Sequence, residues 1–203
     1  MGCIKLVDKP GGCGNFRLHD SFHQSQRSTM IQLSTLMAFA LVIGTLAVQA
    51  ADTPKVGDKA PAFEARDQDG KAWKLADLAG KQAILLYFYP KDDTPGCTKE
   101  ACGFRDSMAD LKKDNVQVLG VSFDSAESHK QFIAKHNLNF PLLVDTEGKL
   151  ADLYGARMPD RNMARRVSFL IGADGRIAHV TDNRSADVHL TEMKEAATKG
   201  TSR

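Results

Sequence analysis

Cys97 and Cys102, five positions apart, are the residues of this chain best suited to chemistry. A cysteine acts through its thiolate, which attacks electrophiles and exchanges disulfides. Thr94 and Pro95 precede Cys97 and suit an N-cap and a first helical position. Cys97 is therefore expected in the first turn of a helix, where unpaired N–H groups and the positive end of the helix dipole stabilise a thiolate. At about 100° per residue, Ala101, Phe104, Met108 and Leu111 fall within about 40° of Cys97, which places it on the buried stripe. Cys102 falls about 140° away, facing out or at an edge. In an intact helix the Cα atoms of such a pair stand roughly 8.6 Å apart. A disulfide tolerates about 7 Å. The spacing thus argues against a static bridge and for a pair that bonds only when the helix opens.

Pro90-x-x-x-Thr94-x-x-Cys97 resembles the peroxiredoxin active-site motif. The longer run from Phe88 to Arg105 is similar to the bacterioferritin comigratory protein, or PrxQ, branch, and the likeness extends from about Val56 to Ala196. The resemblance implies a thiol-dependent peroxidase with a thioredoxin fold that reduces hydrogen peroxide and organic hydroperoxides. By that likeness Cys97 is the peroxidatic cysteine and Cys102 the resolving one, forming a Cys97–Cys102 disulfide that a thioredoxin-like dithiol reduces. Thr94 would bind the peroxide and orient the thiolate, with Pro90 and Gly96 on the substrate side. A distant arginine completes the family's site, and Arg166, just before Val167–Ile171, matches it. The segment Met158–Arg165 is shorter and more basic than the family leads one to expect, which makes Arg161 and Arg165 rivals. Glu100 is either part of the site, as the family suggests, or a first-turn acid that supports the helix dipole. The chemistry needs no metal, haem or flavin.

These residues need a scaffold. Ala83–Tyr89 is a near-continuous apolar run that ends at Pro90, as in a central strand buried on both faces. A helix from about Pro95 to Lys113 follows it, so Cys97 sits where a strand ends and a helix begins, a common place for chemistry in α/β sheets. Asp67–Gly70 reads as a hairpin turn after an extended lead-in over Pro54–Phe63, with a strand at Ala72–Leu75. Val116–Ser122 is the next strand. Asp124 with Glu127 reads as a capping box opening a helix through His136. Phe140–Val144 is a short strand and Lys149–Tyr154 a short helix. Val167–Ile171 and Ile177–Thr181 flank a turn at Ala173–Arg176, and Asp187–Lys199 is a final amphipathic helix. This order predicts an α/β thioredoxin fold, a mixed central sheet with helices on both faces. His129 and His136 read as solvated, as do Asp92 and Asp93 in the loop before the helix.

The bulk numbers narrow the function further. A chain of 203 residues with a net charge of +2 and no Lys/Arg run beyond a pair is not built for nucleic acid. Residues 1–50 differ from the rest. Ser28–Ala51 carries no charge, and its apolar stretch Leu36–Val48 has the length of a signal-peptide core and falls short of a membrane span. Val48-Gln49-Ala50 offers a cleavage site, the alternative being an uncleaved anchor. The expected organisation is a doubtful extension over 1–29, a signal peptide over about 30–50, and one domain over 51–203. Met30 is an alternative start, although Arg17 and Arg27 upstream supply the charge that usually precedes such a core. Cys3 and Cys13 lie in this leader and receive no role. The expectation is an exported monomer, periplasmic in a bacterium and without stable membrane association once cleaved. A thiol–disulfide oxidoreductase of the same fold would use C-x-x-C, which is absent. A redox sensor would use the same disulfide without peroxide turnover.

Overall fold

The computed structural model describes residues 52–200. The central strand is β3 (Ala83–Phe88), preceded by the short hairpin β1 (Glu64–Arg66) and β2 (Ala72–Lys74). Its side chains alternate between two cores. Ile84, Leu86 and Phe88 enter one, and Leu85 and Tyr87, with Tyr89 beyond them, enter the other. A strand buried on both faces has no use for polar alternation, which is why the sequence there is apolar throughout.

β3 runs parallel to β4 (Val116–Ser122), which runs parallel to β5 (Leu142–Val144). On its other side β3 is antiparallel to β6 (Val167–Ile171), which pairs with β7 (Ile177–Asp182) in a hairpin. The order β5-β4-β3-β6-β7, with helices on both faces, is the thioredoxin fold. The helices are α1 (Leu75–Leu78), α2 (Pro95–Asp106), α3 (Met108–Lys113), α4 (Ala126–His136), α5 (Lys149–Leu153) and α6 (Ala186–Gly200). Side chains of α2, α3, α4 and α6 fill the core beneath Leu85 and Tyr87. The opposite core takes Phe63, Leu75, Leu150 and Tyr154.

Several elements differ from the sequence-based expectation, among them the short helix α1, which takes Leu75 from the end of the expected strand. The helix expected over Pro95–Lys113 breaks at Ser107, whose hydroxyl donates to the carbonyl of Gly103 at 2.7 Å and competes with the helical ladder. α4 is capped by Ser125, whose Oγ accepts from Ser128 N at 3.3 Å, and not by an Asp124–Glu127 box. Asp124 is engaged elsewhere, with Ser122 Oγ at 2.7 Å and Asp92 N at 2.9 Å. The strand expected over Phe140–Val144 starts only at Leu142. No helix among the described residues is long and apolar enough to cross a membrane. The leader expected over residues 1–50 lies outside the described residues.

Candidate active site

The loop between β3 and α2 is held from below by a buried acid. Asp92 accepts from Tyr89 Oη at 2.7 Å, from Ser128 Oγ at 2.7 Å and from His129 Nδ1 at 2.9 Å. The second ring nitrogen of His129 lies 3.2 Å from the carbonyl of Leu143, so both ring nitrogens are hydrogen-bonded. Burial pushes the Asp92 carboxyl up, but the bonds from His129, Tyr89 and Ser128 hold it below the ordinary carboxylate range. Asp92 and His129 are thus buried, and the expectation of a solvated loop and a solvated His129 is corrected. Each satisfies the other, which is what lets a carboxylate and a polar ring leave water. Asp93 is exposed and bridges Lys135 and His136, the latter at 2.9 Å. Its φ of 56° is left-handed, a conformation that Asp tolerates better than most residues.

α2 begins at Pro95 with Thr94 as N-cap. The Thr94 hydroxyl does not cap the helix; it donates back to the Lys91 carbonyl at 3.1 Å. Cys97, Ala101 and Phe104 are buried, as the helix wheel requires, and Cys102 on the other side is half-buried. Cys97 and Cys102 both carry free thiols within one unbroken helix.

Arg166 enters from the start of β6. Its Nη2 donates to Cys97 Sγ at 3.3 Å, and its Nη1 pairs with a carboxylate oxygen of Glu100. A Cβ on Gly96 would come within 3.2 Å of Nη2, so glycine there leaves room for the guanidinium. Pro90, half-buried, closes the strand end. The rival arginines point away. Arg165 bonds Gly155 O at 3.0 Å and Thr53 Oγ1 at 2.9 Å, and Arg161 is exposed.

Glu100 is fully buried, not placed on the surface where an acid serving only the helix dipole would sit. Burial raises its carboxyl from 4.5 to about 7, even though Arg166 draws it down. One of its oxygens, Oε1, has no hydrogen-bond donor. His189 Nδ1 on α6 stands 3.5 Å from it, longer than a formed hydrogen bond. His189 is also fully buried, bonded through Nδ1 to Ser168 Oγ at 2.7 Å and through Nε2 to Asn183 O at 2.8 Å. Neither His189 nor Ser168 was expected at the site. The readable signal was that His189 shares its helical stripe with Met193 and Ala197, both buried, so that a polar ring was bound for the core.

Residues 56–180 match the AhpC/TSA family, which is more than half of the chain. The chain belongs to this family of peroxiredoxins. It is 45% identical to Peroxiredoxin Bcp of Escherichia coli over 153 residues, 70% of this chain and 97% of that protein. It is 46% identical to Peroxiredoxin Bcp of Bacillus subtilis over 131 residues, 62% of this chain and 83% of that one. Among solved structures, Peroxidoxin BcpB from Mycobacterium tuberculosis is similar at a TM-score of 0.67 and 31% identity, covering 72% of this chain and 97% of that one. A Xanthomonas campestris bacterioferritin comigratory protein, described for alkyl peroxide reduction, is similar at a TM-score of 0.64 and 26% identity, covering 74% and 99%. The peroxiredoxin is a thiol-dependent peroxidase.

The same comparison overturns the expected export. The Bcp relatives are bacterial peroxiredoxins, and the match accounts for 95% of the Coxiella burnetii protein and 97% of the E. coli one, so the peroxiredoxin domain is nearly all of each. An apolar run of signal-peptide length is a compositional likeness and does not by itself route a chain out of the cell.

Proposed function

We propose that Cys97 is the peroxidatic cysteine and Cys102 the resolving one. The observation that carries the reading is the Arg166 guanidinium, which donates to Cys97 Sγ in the first turn of α2. A fixed cation beside that sulfur meets the negative charge that the nucleophile brings to the reaction.

The thiolate attacks the terminal oxygen of a hydroperoxide. The S–O bond forms, the O–O bond breaks, and the electron pair departs with the leaving oxygen, which takes a proton to become water or an alcohol. Arg166 and the Cys97 backbone N–H, which has no intrahelical acceptor at this position, face the charge that develops along the breaking bond. The Thr94 hydroxyl, donating to Lys91 O, keeps lone pairs free to accept the peroxide's proton. Gly96 and Pro90 shape the wall beside it.

Cys97 is then a sulfenic acid. The first turns of α2 open, and Cys102 attacks its sulfur, releasing water and leaving the Cys97–Cys102 disulfide. A thioredoxin-like dithiol reduces the disulfide by exchange. A monomer fits this cycle, since both cysteines lie on one chain. Val56 is the sole large apolar side chain left exposed among the described residues, which leaves little for an obligate apolar interface.

Two variants test the assignment. Cys97→Ser abolishes peroxide consumption, because a hydroxyl is hardly ionised at neutral pH. Cys102→Ser reacts once per chain and then stalls as the sulfenic acid, detectable with a dimedone-type probe. Loss of the first turnover in Cys102→Ser, with Cys97→Ser still reacting, would reverse the roles.

A further inference from the structure

The pair behind Arg166 has an open place for one proton. Glu100 Oε1 is buried without a donor, and an unpaired buried carboxylate oxygen is costly. It faces His189 Nδ1 at 3.5 Å. His189 Nε2 must donate, because its partner is the carbonyl of Asn183. In the neutral ring Nδ1 is therefore bare, and it accepts from Ser168 Oγ at 2.7 Å. A proton on Oε1 would remove the unpaired charge there and point at Nδ1, whose lone pair it would share with Ser168 Oγ.

The charges near Arg166 say when that proton is needed. With Cys97 as a thiolate, an ionised Glu100 would set two buried anions against one guanidinium, an arrangement that low dielectric penalises. Once Cys97 is a neutral sulfenic acid, the thiolate charge is gone and Arg166 needs Glu100 as its anion. We propose that His189 and Glu100 hold one proton behind Arg166 while Cys97 is a thiolate and release it as the thiolate is oxidised, which makes His189 a positioning residue acting through Glu100 and Arg166. The proposal rests on the assignment of Cys97 and Arg166 above.

The step balances. Cys–S⁻ and ROOH give Cys–SOH and RO⁻; sulfur is oxidised and the peroxide oxygen reduced. RO⁻ takes a proton from water, and the pair returns one. The His189 ring takes it at Nδ1 and gives up its Nε2 proton to water at the turn before α6, where Asn183 is exposed.

The titratable groups around the pair fit this exchange. Glu100 sees Arg166 and His189, and its charge is felt by Tyr87 from β3. His189 sees Glu100 from α2, Ser168 and Arg166 from the β6 side, Asp182 at the end of β7 and Glu192 on its own helix. Burial, more than any charge, pushes the His189 ring below its ordinary value, so it stays neutral and leaves the proton to Glu100. The carboxyl, raised to about 7, exchanges it near neutrality.

Proton counting tests the idea. In a Cys102→Ser chain, which reacts once, a pulse of hydrogen peroxide is followed with a pH-indicator dye in weak buffer at mildly acidic pH. The parent should take up almost no net proton, because the pair supplies what the leaving oxygen consumes. Glu100→Gln has no such proton and should take up about one per chain oxidised. His189→Asn should do the same, since its amide donates to Oε1 and keeps Glu100 ionised throughout, and it decides the matter if Glu100→Gln does not fold. Equal uptake in the parent and the variants, whether full or nil, overturns the proposal. A merely structural role for His189 would change rates without changing the count. Peroxide consumption by Cys97→Ser would instead overturn the underlying assignment.

Discussion

Two buried acids flank the end of β3, each beside a buried histidine, and they behave in opposite ways. Asp92 receives donors from Tyr89, Ser128 and His129, and its carboxyl lies below the ordinary range. Glu100 receives Arg166 on one oxygen and no donor on the other, and its carboxyl is raised to about 7. Both are out of water. Donors outweigh burial at Asp92 and fail to at Glu100, which leaves the first fixed and the second able to titrate. The fixed one anchors the loop that precedes Cys97. The titrating one stands behind the cation that faces Cys97.

Removing the fixed acid should have the largest effect. Asp92→Ala leaves His129, Tyr89 and Ser128 without their shared acceptor, and each buried donor left unpaired costs about 1–3 kcal/mol. Thermal melts should show this loss. A small loss would mean that the Asp92 network is ornamental and that the contrast with Glu100 is false. Next comes the cation. Arg166→Ala should slow the first peroxide step by roughly 10²–10³, the usual worth of one preformed donor. Arg165→Ala should stay near the parent rate in the same stopped-flow assay, because Arg165 is bonded to Gly155 and Thr53. The reverse pattern would move the assignment to Arg165.

Neighbouring residues show how far the sequence could be read. β4 was legible to the residue because a short run rich in valine, bounded by Asn115 and ending at Ser122, suits a buried strand better than a helix. Cys97, Ala101 and Phe104 were legible as one buried stripe because helical periodicity sets it locally. Arg165 and Arg166 were harder. Adjacent residues entering a strand face opposite ways, and the choice turns on which face carries α2. Asp92 and His129 were misread because charge alone suggests solvent, while their burial depends on α4 docking over the loop from a distant part of the chain. The break at Ser107 was missed because a serine in a helix bonds back to a carbonyl only in some settings.

Oxidation should act on one side of the comparison only. The Cys97–Cys102 disulfide cannot form across an intact α2, whose geometry holds the Cα atoms roughly 8.6 Å apart. The first turns must open and lift Cys97, with Ala101 and Phe104 exposed in turn. A loop this short restricts the unfolded chain little. Lost packing costs on the order of a few kcal/mol. The oxidised form should therefore have less helix by circular dichroism and melt lower than the reduced form. Hydrogen exchange should rise in Cys97–Phe104 and stay slow around Tyr89, Asp92 and His129. An oxidised form that melts higher with unchanged helix content would make the disulfide a staple.

The smallest effect is the most diagnostic, because the two acids should tilt stability in opposite directions with pH. Asp92 has a folded pKa below its unfolded value. Its contribution is present above about pH 4 and is lost as pH falls through the folded value. Glu100 has a folded pKa above its unfolded value, about 7 against 4.5. The folded state then binds more protons than the unfolded one between those values, so stability falls as pH rises from 4.5 to about 7 and is level above. The span corresponds to roughly 3 kcal/mol at most. His189 works against it, because its depressed pKa costs stability as pH falls below 6.5. The net neutral limb is therefore smaller than the Glu100 contribution alone. Glu100→Gln should melt progressively higher relative to the parent as pH rises toward 7, while Asp92→Asn should flatten only the acid limb. Parallel melting curves for Glu100→Gln and the parent across that range would mean that Glu100 is already ionised in the folded protein. Arg166 would then face two anions whenever Cys97 is a thiolate, and the difference between the two acids would vanish.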